Sequence, residues 1–159
     1  MQKRINQNVE EMFPYYVPEE LKRNDAYFSK AYELHINPRS VEDIVSAVHL
    51  YHGAFVGGCL EAGTNILSII FTAYANGMEE NPTGFKVLEN KVRCYVDELL
   101  KTQKYSKGLY YAALAMIYDL YETGSDTGSV ADGWELMDRL VKEQNPSAIV
   151  FTDYLSSNN

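Results

Sequence analysis

Apolar positions along the chain recur at helical spacing. Val41, Ile44, Val45, Val48 and Phe55 follow the i, i+3, i+4 rhythm of one buried helix stripe. Ile66, Leu67, Ile70 and Tyr74 repeat it, then Phe85, Leu88, Val92, Val96 and Leu99, then Trp134, Met137, Leu140 and Val141, and last Ala148, Ile149, Phe151 and Leu155. The valines and isoleucines do not alternate with polar residues as a half-buried strand requires. Start and stop signals bracket these runs. Pro18 followed by Glu19 and Glu20 suits a helix start, and Asn37-Pro38 stops that helix near His35. Ser40 stands as an N-cap with Asp43 at the capping-box position, and Gly57-Gly58 breaks the helix that follows. A partner helix over residues 60–76 ends at Gly77, and Asn81-Pro82-Thr83-Gly84 makes a turn. Further helices are predicted over 85–103 and 106–123, the latter ending at Gly124. Residues 125–129 are all turn formers, and Asn145-Pro146 opens the last helix. The pattern predicts an all-α fold of stacked antiparallel helical hairpins. Residues 1–18, with two prolines and three aromatics near their end, form an extended lead-in, and 19–159 a single helical domain.

Two stretches echo each other. Leu67–Gly77 reads against Leu114–Gly124 at an offset of 47 residues, with Leu, Ile, Tyr and Gly at equivalent places and Phe71 opposite Tyr118. A period of this size points to stacked helical hairpins. Ala47, Tyr51, Ala54 and Gly58, followed by Ala62, Ile66 or Leu67, Tyr74 and Gly77, together with Leu114, Tyr121 and Gly124, resemble the Sel-one-like repeats of the tetratricopeptide-like family. Gln144-Asn145-Pro146-Ser147-Ala148 is similar to the inter-helix turn of another copy. The resemblance implies a scaffold that presents a binding surface.

Charge narrows the partners. The formal net charge is −8, which disfavours phosphate backbones and anionic membrane surfaces. It is unevenly spread: 1–39 balances, 40–85 carries −5, 86–107 carries +3 and 108–159 carries −6. The basic strip Lys86, Lys91, Arg93, Lys101, Lys104 and Lys107 adjoins a tyrosine-rich segment. Rim charges accelerate encounter and aromatic anchors slow dissociation, so Lys101, Lys104 and Lys107 with Tyr110 or Tyr111 are the expected protein-binding residues.

Candidate chemistry is sparse. His49 and His52 share a helix face with His35 or Glu42 in reach of the sequence, but no third ligand has metal-site spacing. Cys94 lies between Val92 and Val96, where packing is expected, and Cys59 and Cys94 are both read as buried thiols in a reducing cytoplasm. Gly53, Gly57, Gly58 and Gly63 lack the lysine of a phosphate loop. Asp126, Asp132, Glu135 and Asp138 lack the alternating ligands of a calcium loop and read as a solvated acidic segment. No stretch reaches the roughly 18 apolar residues of a membrane span. The expectation is a non-enzymatic, cytoplasmic protein-binding module without metal or cofactor. Its rival is a small acidic inhibitor of a nucleic-acid-binding enzyme, of the phage or mobile-element anti-defence type, presenting carboxylates where phosphates would lie.

Overall fold

The structure, a computed structural model, describes residues 10–75, 92–102, 106–118 and 127–157. It is all-α: every regular element is helical, and there is no strand among the described residues. The chain divides into two compact units, Tyr15–Leu88 on one side and Met1–Pro14 with Glu89–Asn159 on the other. The boundary falls inside the lead-in, so its residues up to Pro14 belong to one unit and those from Tyr15 to the other.

In the Tyr15–Leu88 unit, a 3-10 turn (Pro18–Glu20) precedes α1 (Ala26–Ile36), α2 (Val41–Val56) and α3 (Leu60–Ala75). The expected helix start at Pro18 is corrected. Glu20 turns its carboxylate back onto the Val17 N–H at 2.9 Å and closes a single turn. The helix begins only after Asp25, whose carboxylate accepts from the Phe28 N–H at 3.0 Å; an Asp N-cap outcompetes an uncapped extension from Pro18. Ser40 holds the N-cap position of α2, but its hydroxyl makes no capping bond. Asp43 instead accepts from the Arg39 N–H at 2.9 Å. The buried stripe of α2 is Ala47, Val48, Tyr51 and Ala54, while Val41 is exposed.

The α2–α3 turn is a Schellman motif. Gly58 N–H donates to Phe55 and Cys59 N–H to Ala54, with Gly58 at φ +102. The Arg23 guanidinium donates to the Gly57 carbonyl at 3.1 Å, placing a cation on the negative end of α2. Helix α3 is buried on every side: residues Ala62 to Phe71 are all in the interior, the polar Thr64, Asn65 and Ser68 included.

The second unit contains α4 (Val92–Lys101), α5 (Ser106–Ile117), α6 (Thr127–Lys142) and α7 (Pro146–Ser157). Helix α4 is amphipathic, with Val92, Tyr95, Val96 and Leu99 inward. Cys94, read as buried, is exposed between them because i+2 from Val92 faces away from the stripe. Helix α5 matches α3 in being buried all round, from Gly108 to Met116. Helix α6 starts at Thr127, earlier than the expected loop over 125–129 allowed. Its Gly133 lies against α5 so closely that a Cβ would stand 2.9 Å from the Met116 Cβ and 3.0 Å from the Ala113 carbonyl oxygen. The α6–α7 turn repeats the α2–α3 hydrogen bonds: Gln144 N–H donates to Val141 and Asn145 N–H to Leu140, with Gln144 at φ 66 where the other turn has glycine. Asn145 then caps α7 through the Ala148 N–H at 3.0 Å, with Pro146 at its first position, as the sequence predicts.

Helices adjacent in sequence pack on one another within each unit, α1 on α2, α2 on α3, α4 on α5, α5 on α6 and α6 on α7. The 47-residue offset carries α2 and α3 onto α4 and α5. Leu67 and Leu114 are both fully buried, whereas Phe71 is buried and its counterpart Tyr118 is exposed. Gly77, the turn at 81–84, Phe85, Leu88, Tyr121 and Gly124 lie outside the described residues.

Two substitutions test this packing by chemical denaturation. Gly133→Ala is expected to destabilise by about 1–3 kcal/mol, because the added methyl meets a side-chain carbon and backbone on α5. Gln144→Gly is expected to stabilise by up to about 1 kcal/mol, relieving the left-handed backbone of a non-glycine residue.

Candidate functional site

Of the residues expected to bind a partner, the two tyrosines are withdrawn from the surface. Lys101 is exposed at the end of α4, its Nζ 3.0 Å from Glu98 Oε1, and that hydrogen bond raises its pKa. Lys104 lies outside the described residues. Lys107, half-buried in the first turn of α5, lines a cleft of about 530 Å3 with Glu10, Glu11, Asn145, Ser147 and Val150. Two polar side chains of that cleft are already engaged. Asn145 Nδ2 donates to the Ser106 carbonyl at 3.1 Å, and Ser147 Oγ donates to the Glu11 carbonyl at 3.1 Å.

The tyrosine anchors are a correction. Tyr110 and Tyr111 are both 0% exposed. A helix enclosed on all sides has no off-stripe position, so the premise that one face of α5 meets solvent does not hold. Tyr111 donates its hydroxyl to the Pro14 carbonyl at 2.6 Å and fastens the lead-in. Tyr110 stacks edge-on against Tyr111 and Phe151 at 5.3 and 6.4 Å, and its hydroxyl has no hydrogen-bond partner among the described residues.

A polar relay that the sequence reading missed runs through the Tyr15–Leu88 unit. Asn65 accepts from the Tyr16 N–H at 2.8 Å and donates to the Tyr16 carbonyl at 2.9 Å. Its second amide hydrogen goes to the Tyr51 hydroxyl at 3.2 Å. The Tyr51 hydroxyl in turn shares a hydrogen bond with His35 Nδ1 at 2.9 Å. Tyr15 lies over His35 at 4.6 Å and Phe28 edge-on to Tyr51 at 5.2 Å. Burial lowers the His35 pKa from 6.5 to about 4 and raises that of Tyr51. One signal was present in the sequence: a lone Asn inside the apolar run of α3 must be satisfied from elsewhere. The relay ties the lead-in, α1, α2 and α3 of this unit together.

Nucleophile chemistry is weak. The Cys59 thiol is buried and pushed up to about 11, first by burial and also by the Glu61 carboxylate. His49 is exposed and His52 half-buried. No group of three or more His, Cys, Asp or Glu among the described residues could hold a metal ion. Asp126 lies outside the described residues.

The surface of the second unit carries a feature of another kind. Trp134, expected to open the core stripe of α6, is 40% exposed, and Tyr118, at the end of α5, is 53% exposed. Both rings sit 6.3 Å from the buried Phe151 ring, Trp134 stacked and Tyr118 edge-on. Gly133, Met137 and Leu140 take the inward face of α6, which turns Trp134 to its margin. Asp138 follows Trp134 by four residues and therefore stands one turn along the same face. Asp132, Glu135 and Asp138 are all exposed.

Compared with known proteins, the chain matches no family model, no curated protein and no solved structure.

The relay makes two predictions. Tyr51→Phe strands the Asn65 amide hydrogen and His35 Nδ1 and is expected to cost about 1–3 kcal/mol, whereas Tyr110→Phe removes an unpartnered hydroxyl and is expected to be neutral or stabilising in the same denaturation assay. His35 is neutral in the folded chain down to about pH 4, while the unfolded chain protonates it near 6.5. Between these values the unfolded state binds more proton, so stability falls as pH falls, by about 3 kcal/mol across the window. A His35→Gln variant measured from pH 7 to pH 4 is expected to lose that part of the slope.

Proposed function

We propose that the protein is a non-enzymatic module, an adaptor of helical hairpins, that binds another protein through the aromatic face of its Glu89–Asn159 unit. The observation that carries this reading is that Trp134 and Tyr118 are both exposed and each lies 6.3 Å from the buried Phe151 ring. Tryptophan and tyrosine are over-represented among the residues that carry most of the binding energy at interfaces. Here they rest on a buried aromatic base, so little side-chain freedom is lost on binding. We take the scaffold as repeat-like, of the Sel-one-like kind, on the 47-residue echo in the sequence. No helix among the described residues is long and apolar enough to cross a membrane. Two cysteines that form no disulfide go with a cytoplasmic location.

The test is affinity capture from the native host with quantitative mass spectrometry, then a binding assay on variants. Trp134→Ala with Tyr118→Ala is expected to weaken binding by at least roughly tenfold, as loss of an interface hot spot does. Circular dichroism should stay helical. Lys101→Glu is expected to bind as the wild type does. The reverse pattern would move the interface to the basic end of α4 and reject this reading.

A further inference from the structure

We infer that the aromatic face takes a cationic segment of the partner, an exposed stretch bearing Arg or Lys, with one such side chain laid on the Trp134 indole and held by the Asp138 carboxylate. The inference rests on the reading that this face is the interface, and it adds what the face selects.

The indole lies at 27° to the Phe151 ring with 6.3 Å between centroids, and Trp134 is 40% exposed, so part of the ring stands at the surface. A tryptophan face is the best aromatic partner for a guanidinium or ammonium group, because the ring quadrupole is negative above the plane. Asp138 lies one helical turn along the same face, and Glu135 and Asp132 line the rest of the exposed surface of α6. Of the two basic residues on α6, Arg139 is held by Glu143 at 3.4 Å, and Lys142 stands two turns beyond Trp134. The segment 108–159 carries −6 in all. Rings with carboxylates one turn away attract a cation twice, through the quadrupole and through full charge. An acidic partner would meet repulsion, and a purely apolar one would leave the carboxylates desolvated without compensation.

Trp134 is the chain's only tryptophan, so its emission reports on this face alone. The experiment titrates the full chain with a short arginine–glycine peptide and with a counterpart in which every Arg is Gln, following tryptophan fluorescence at low and at high salt. The expected result is a saturable change with the Arg peptide that weakens as salt rises and is absent with the Gln peptide. Asp138→Asn is expected to weaken binding roughly three- to tenfold, as loss of one charge of a close pair does. Glu42→Gln, on α2 in the other unit, is expected to leave it unchanged. Equal response to both peptides, or equal weakening by Asp138→Asn and Glu42→Gln, overturns the cationic selection. So does the absence of any response while Trp134→Ala and Tyr118→Ala still abolish capture of the natural partner; in that case the aromatic interface stands without it. If those two variants keep the natural partner, the interface reading itself has failed.

Discussion

The amide of Asn65 is the constraint on which the Tyr15–Leu88 unit depends. It sits on a helix whose every face is buried, where an unsatisfied polar group costs far more than a hydrogen bond returns. It is satisfied by two bonds to the backbone of Tyr16 and one to the hydroxyl of Tyr51. Those bonds do three things at once. They allow α3 to be fully enclosed, they hold an extended segment that has no secondary structure of its own, and through Tyr51 they reach His35 Nδ1 on α1. A hydrophobic residue at 65 would leave the Tyr16 backbone groups without their partner, so the polar residue and the lead-in need one another.

The other unit solves the same problem with different residues. Helix α5 is also enclosed, and Tyr111 and Ser147 hold the lead-in there by its carbonyls at Pro14 and Glu11. In both units the interior polar groups are largely spent on the fold. What chemistry is left to offer stands on the surface, and the surface feature least explained by folding is the exposed pair Trp134 and Tyr118 beside the carboxylates of α6. Tryptophan and tyrosine at a protein surface are the side chains that interfaces use most as anchors.

Much of the architecture was legible from the sequence. Gly57-Gly58, Asn37-Pro38 and Asn145-Pro146 act through backbone chemistry that is local to a few residues, and each falls where a helix ends or begins. The errors arose where tertiary context decides. Pro18 with two glutamates is a sound local start, yet Asp25 offers a better cap seven residues on. Tyr110 and Tyr111 are adjacent, so on an amphipathic helix one of them should face out; α5 is not amphipathic, and nothing local to 106–117 says what encloses it. Trp134 and Cys94 show the converse. Trp134 keeps the apolar spacing of α6 yet lies off its buried face by a rotation that spacing alone does not fix, and Cys94, two residues from Val92, stands off the stripe between apolar neighbours. Asn65 could have been found, since a single amide directly before the run Ile66-Leu67-Ser68-Ile69-Ile70 demands a partner, but which backbone would supply it is a question of topology.

The central claim is that the working surface is the aromatic face and that the basic end of α4 is not part of it. Site-specific photocrosslinking tests it most directly. A photoreactive side chain replaces Tyr118 in one sample and Lys101 in another, each in the full chain, and each is irradiated with the bound partner. The account predicts a covalent adduct from position 118 and none from position 101. An adduct from position 101 alone would contradict it.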